Sequence, residues 1–315
     1  MNTLRFIKQT FRYICIKQHQ LFRIIATGFL ALQSFNICYS FDIKSNGIYY
    51  NIIGDNYVEV TYGKRLINTY SGSISIPSHI FFKNKEYQVL SIGKAAFSLC
   101  ERLKAVTIPE GLKRIDDYAF YECHSIERID LPNSIEYLGK HAFQRCLELR
   151  FINIPPKIKT IKKGSFFCCR KLENIIFPDD LLEIEELAFA DTSIKSIALP
   201  RHIMIIGDEA FSECTILTNV FIPYSNLSIG KKVFFNSNLK EITFPPTIIS
   251  LNLNSLDLCK NLTKVTSYIM EPQLSESPLL ISFQKCTLYI PHDTKDKYLS
   301  TFPWNTFGTI VEMDY

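Results

Sequence analysis

Ten cysteines, six histidines and three adjacent acidic pairs are the residues of this 315-residue chain best equipped for chemistry. Cysteine can ligate zinc, form disulfides or attack as a thiolate, and each role demands particular neighbours. A zinc site needs ligand pairs a few residues apart, yet His19, His79, His124, His141, His202 and His292 stand at no such spacing to one another or to a cysteine pair. The neighbours Cys168 and Cys169 match no metal motif. The chain carries no Gly-rich phosphate loop, no Gly-x-Ser-x-Gly elbow and no His-Glu-x-x-His helix. Asp116-Asp117, Asp179-Asp180 and Glu185-Glu186 are expected at turns, solvated rather than catalytic. No catalytic residue, cofactor or metal is therefore expected.

What the cysteines do possess is a period. Cys100, Cys123, Cys146, Cys169, Cys214 and Cys259 each follow by three residues a large apolar side chain: Phe97, Phe120, Phe143, Phe166, Phe211 and Leu256. Phe189 and Phe234 keep the same beat, with Thr192 and Ser237 in the cysteine place. Prolines repeat it: after Pro77, the steps from Pro109 through Pro132, Pro155, Pro178, Pro200 and Pro223 to Pro245 are 23, 23, 23, 22, 23 and 22 residues. A fixed period of this length marks a solenoid of the leucine-rich class.

The elements follow from the unit. Ile129-Asp130-Leu131, Ile152-Asn153-Ile154 and Ile197-Ala198-Leu199 alternate in the strand period, and each ends on a proline that cannot donate to a continuing ladder. A second inward set stands six residues after proline, at Ile115, Leu138, Ile161, Ile184, Ile206, Ile229 and Leu251. Ala-Phe then turns the chain, with the ring inside. No single unit can bury these side chains, so stacking must do it. The predicted fold is a leucine-rich repeat solenoid of about eight 22–23-residue repeats, mostly β with little helix, capped at both ends. Such a surface is shallow and lacks the deep pocket of an active site.

The ends break the period. Residues 1–23 hold five basic side chains and no acidic one, followed by the apolar run from Ile24 to Leu32 and small residues at Cys38 and Ser40. That order is a secretory signal cut after Ser40, with an N-terminal anchor helix as the other reading. The run is shorter than the roughly 18 residues that span a bilayer. Residues 41–73 read as cap strands, 74–267 as the repeats and 268–315 as a C-terminal cap. Phe81 to Tyr87 reads as a hairpin inserted into the first unit, and Asp293 to Leu299 as a short helix.

Composition excludes several classes. With 24 Phe, 16 Tyr and only 12 Gly and 14 Pro, the chain is neither disordered nor collagen-like. Its formal charge of +4 lies in the leader; beyond it thirty basic residues face 31 acidic ones. Nucleic acid is not an expected partner.

The repeat Pro-x-x-Ile-x-x-Ile-Gly-x-x-Ala-Phe-x-x-Cys-x-x-Leu-x-x-Ile, seen in Ile206-Gly207-Asp208-Glu209-Ala210-Phe211-Ser212-Glu213-Cys214, resembles the BspA-type leucine-rich repeat over about 41–315. Departures are Asn226 for an aliphatic after Pro223, Ser255-Leu256 for Ala-Phe, and Thr192 and Ser237 for cysteine, which would loosen the later repeats. The resemblance implies a secreted or cell-surface protein of host-associated bacteria or some protozoa. It further implies an adhesin for protein or glycoprotein partners, host extracellular matrix among them, with no small-molecule substrate. The other class is a structural surface protein acting by self-association. Solenoid surfaces vary freely on one scaffold, so the partner must be argued from the surface.

Two expectations concern side chains. Export permits disulfides, but six cysteines at one repeating position, exchangeable with Thr and Ser, fit buried packing better than bridging. On the strands, Arg128, Phe151, Asn153, Asn174, Ile176, Asn219 and Phe221 should face outward, with Phe151, Ile176 and Phe221 as apolar anchors in a polar rim. Ordinary strand propensity, or a contact between copies, would yield the same row.

Overall fold

In a computed structural model, residues 41–63, 69–274, 279–280 and 283–314 are described; the expected leader at 1–40 and Pro278 lie outside them. The chain winds into a β-solenoid of about nine turns, with stacked parallel strands and almost no helix. Each coil has three sides; the second and third stack from coil to coil, and the first pairs in separate groups.

The first side is the strand before proline. It pairs in parallel Gly72–Ser75 with Leu103–Thr107, Phe151–Asn153 with Asn174–Ile176, Ser196–Ala198 with Asn219–Phe221, and Glu241–Phe244 with Lys264–Ser267. Around Ile129 only one bridge, Arg128 to Phe151, replaces the expected strand. The second side is a two-residue strand per coil, stacked in parallel from Thr160–Ile161 through Glu183–Ile184, Ile205–Ile206 and Ser228–Ile229 to Ser250–Leu251.

The third side is the Ala-Phe turn. Alternate amides donate forward to the next coil: Tyr118 to the Lys140 carbonyl, Phe120 to Ala142 and Glu122 to Gln144, at 2.9, 2.7 and 2.9 Å. The amides between them turn back within the coil, Ala119 to Asp116 and Tyr121 to Tyr118. This alternation requires left-handed backbone at Tyr118 and Glu122, with φ of 60° and 56°. Non-glycine residues resist that conformation by ~1–2 kcal/mol each, so neighbouring coils must hold it in place.

Inside, the predicted ladder of rings is present. Phe97, Phe120, Phe143, Phe166, Phe189, Phe211 and Phe234 stack with centroids 5.0 to 6.1 Å apart, all buried. One coil earlier Tyr70 meets the end of the stack, its ring 4.8 Å from Phe97 and tilted by 47°. The inserted hairpin is His79–Phe82 against Lys85–Ile92, and its turn residues Lys83 and Asn84 have φ of 50° and 61°. Two positive values in a two-residue loop suit the strand twist.

The C-terminal segment carries strands and a short helix. The first side runs on through it, Lys264–Ser267 pairing in parallel with Thr287–Ile290 and that strand with Thr309–Glu312. A helix, Lys295–Ser300, stands in the last coil, and Tyr298 and Trp304 are buried there.

Two sequence departures prove local. Leu227 is buried, one place later than the aliphatic that Asn226 displaced, and Ile229 keeps its register with Ile206. Ser255 and Leu256 are buried, and the Phe234 amide still donates forward to Ser255.

The cysteine position agrees with buried packing over bridging and adds a hydrogen bond to it. The thiols are free and buried, but they act as donors rather than as small hydrophobes alone. Cys123, Cys146, Cys169, Cys214 and Cys259 each point at the phenylalanine carbonyl of the preceding coil, at 3.0 to 3.4 Å. Thr192 and Ser237 each meet the next thiol, Cys214 and Cys259, at 3.2 Å, and Thr192 also donates to the Phe189 carbonyl. The exchange of Cys for Thr or Ser thus preserves a hydrogen on a small side chain as well as a volume.

Those two coils are also one residue shorter. Thr192-Ser193-Ile194 and Ser237-Asn238-Leu239 stand where the others read Cys, two residues and an aliphatic. Each shortening precedes a break in the first side. No ladder joins Asn174–Ile176 to Ser196–Ala198, or Asn219–Phe221 to Glu241–Phe244.

Candidate partner-binding face

Inward members of the first side, such as Ile152 and Ile197, are buried. Their neighbours therefore turn outward, because the strand period is two. Parallel pairing sets Phe151 beside Asn174 and Asn153 beside Ile176. A second pair of strands sets Asn219 beside Ser196 and Phe221 beside Ala198. All seven residues singled out from sequence lie on this outer side. The break between Ile176 and Ala198 divides them into one group of five and one of two.

Their environments differ. Arg128 is exposed but engaged, its Nε 2.9 Å from the Asp130 carboxylate. Asn153, Asn174 and Asn219 are exposed. Ile176 is 55% exposed and Phe221 64%, whereas Phe151 is half-buried and offers a smaller apolar surface. The larger exposed apolar surfaces on this face are those of Ile176 and Phe221.

The face is hollowed at the second break. A groove of about 710 Å³ is lined by Ser196, Ala198, Asn219, Phe221, Tyr224, Glu241, Thr243 and Lys264, among others. Ala198, the smallest outward residue there, pairs with Phe221 across the ladder. Tyr224 is 73% exposed and was missed from sequence. A signal existed: the residue after proline is polar or proline at Glu110, Asn133, Pro156, Asp179, Arg201 and Pro246, but aromatic here.

Beyond Tyr224, around the proline corner, lies a second concavity of about 480 Å³ lined by Leu182, His202, Met204 and Ser225. It opens where the second side changes character. Lys113, Glu136 and Lys159 precede Leu182, Met204 and Ile249 in the equivalent place, and the last three are exposed. In the charged half, hydrogen bonds from Lys157 and Lys113 lower the Glu136 carboxyl to about 2.

The titratable groups offer little reactivity. Burial pushes the Cys214 and Cys259 thiols up to about 11, against the lowering pull of Thr192 and Ser237. Thiols so placed are not nucleophiles near neutral pH. Among the described residues no group of three or more His, Cys, Asp or Glu could hold a metal ion, and no helix is long and apolar enough to cross a membrane.

Solved structures share this architecture. A leucine-rich repeat protein from Bacteroides ovatus ATCC 8483 aligns at 22% identity over 87% of this chain and 77% of its own, with a TM-score of 0.58. The T. pallidum leucine-rich repeat protein aligns at 25% identity over 62% of this chain and 88% of its own, with a TM-score of 0.54. A leucine rich cell surface protein from Faecalibacterium prausnitzii A2-165 aligns at 17% identity over 87% and 95%, with a TM-score of 0.52. No curated protein matches the chain. Residues 68–195 and 182–288 match the description "BspA type leucine rich repeat region", in 6 copies, and no catalytic family is indicated. Ring stack, three-sided coil and matched repeats agree, and the chain belongs to the BspA-type leucine-rich repeat family.

Proposed function

We propose that this chain is a non-enzymatic recognition protein, exposed outside the cell, that binds protein or glycoprotein partners through the outer face of its first ladder. The observation that carries the reading is the pair Ile176 and Phe221, more than half exposed on a face whose other outward residues are mostly polar. Apolar anchors ringed by amide side chains form a surface that gains by being covered. Family membership and the Faecalibacterium cell surface protein support the location.

The test is an Ile176→Asp/Phe221→Asp double variant assayed on immobilised extracellular-matrix glycoproteins. Binding by the wild type and its loss in a variant with unchanged thermal midpoint is the expected result. Undiminished binding by the folded variant would sink the reading. Fractionation of the producing cells should place the chain outside the cytoplasm.

Self-association is a second reading, favoured by exposed Leu182, Met204 and Ile249 around the corner. A concentration-dependent mass in sedimentation, abolished by Met204→Asp and untouched by the double variant, would support it instead.

A further inference from the structure

We infer that the groove at the second ladder break is a carbohydrate site, taking an uncharged oligosaccharide chain. The inference rests on the reading of this face as a recognition surface and names the chemistry of what it recognises.

Three features point to that ligand. The first is the pair of rings. Phe221 and Tyr224, separated by buried Ile222 and Pro223, stand on the groove wall at 64% and 73% exposure. Rings this exposed make poor hydrophobic sockets but good platforms. An aromatic face is electron-rich, and the C–H face of a sugar ring is its apolar, positively polarised complement. The second is the polar lining. Ser196, Asn219 and Glu241 line the same groove, supplying hydroxyl, amide and carboxylate groups suited to a polyhydroxylated ligand. The Asn219 Oδ1 accepts from Thr218, and no bond from its amide nitrogen to a described residue is seen.

The third is charge. The groove's two charged side chains answer each other, Glu241 and Lys264 standing 3.9 Å apart. At its margin Lys195 is held by Glu173 at 2.7 Å. A groove without net charge complements a neutral ligand and gives no steering to an anionic lipid, a nucleic acid or a sulfated glycan.

The origin of the groove gives the site an address in the sequence. The coil that ends in Ser237 lacks one residue before Leu239, and there the pairing between Asn219–Phe221 and Glu241–Phe244 lapses. One coil earlier on the face, Ala198 replaces a larger outward residue and leaves room beside the Phe221 ring.

The experiment titrates the full protein with maltohexaose, cellohexaose, mannohexaose and a neutral galactose-terminated N-glycan. Binding is read by calorimetry and by saturation-transfer NMR. Saturation of at least one of these ligands is expected. Phe221→Ala and Tyr224→Ala should each weaken it about tenfold or more, ~1.4 kcal/mol. Phe81→Ala, an equally exposed ring on the inserted hairpin and away from the groove, should leave it unchanged. Tyr224→Phe keeps the ring and should keep binding; a loss equal to that of Tyr224→Ala would overturn the stacking role. Thermal midpoints check that each variant folds. Binding of none of the four ligands, or of heparin alone, overturns the proposal.

Matrix glycoproteins stripped of glycan separate the two readings. Capture of the stripped protein, lost in Phe221→Asp, keeps the recognition face and overturns the carbohydrate. Capture that vanishes with the glycan supports both. Failure of all arms overturns both.

Discussion

The thiol of Cys146 donates to the main-chain carbonyl of Phe120, 26 residues earlier, at 3.2 Å. That carbonyl already accepts the Cys123 amide of its own coil. The contact therefore ties one coil to the previous one at the point where the chain leaves the ring stack. Isosteres separate its two contributions. Cys146→Thr keeps a donor and Cys146→Val does not, so Val should be less stable than Thr by about 1 kcal/mol in urea unfolding. Equal stabilities would return the position to packing alone.

The same burial makes stability depend on pH. With folded pKa values of about 11 at Cys214 and Cys259, raised above the ordinary thiol value by burial, the unfolded chain ionises first. Their contribution is whole below pH ~9 and is lost as pH climbs through about 11. Urea midpoints should fall across this window, and the fall should be shallower in Cys214→Thr/Cys259→Thr.

Phe143 lies between Phe120 and Phe166, with centroids 5.0 and 5.5 Å away. Truncation to alanine leaves a cavity that left-handed turns on both sides cannot readily close. A cost of about 3–5 kcal/mol is expected, with neighbouring coils losing hydrogen-exchange protection together. A loss confined to one coil would contradict the stacked-rung account.

Gly139 occupies the Ile-Gly position of the repeat, where a Cβ would sit 2.4 Å from the Asp117 amide nitrogen of the preceding coil. Gly139→Ala must push two coils apart and should cost about 1–3 kcal/mol, read from the urea midpoint. Gly47→Ala meets nothing within 4 Å and suffers only its φ of 79°. The first variant should therefore disturb neighbouring coils in hydrogen exchange and the second should not.

Restoring coil length probes the ladder break. Thr192→Cys with one residue inserted after it recreates the Cys-x-x-aliphatic turn of the coils that pair normally. Amides of Ser196–Ala198 are expected to gain roughly tenfold protection as they meet the carbonyls of Asn174–Ile176. No gain in a folded variant would separate the break from the shortened turn.

The sequence was informative wherever one side chain recurs at one period. Pro, Phe and Cys at 22–23-residue steps require coils, because only stacking buries such a row, and so they settle the solenoid and the inward set. Alternation then settles which strand residues face out, and all seven singled out do so. What it could not settle were properties that belong to two coils at once. That the thiol is a donor shows only when the previous coil's carbonyl lies beside it. Leu227 takes over from Asn226 because a neighbouring coil accepts a side chain one place late. Thr192 and Ser237 were visible as substitutions, and the 22-residue steps as spacings. Their coincidence with broken pairing, and so with the groove beside Phe221 and Tyr224, depends on how adjacent strands meet. A local period fixes what each coil must bury; the match between coils decides what the surface leaves open.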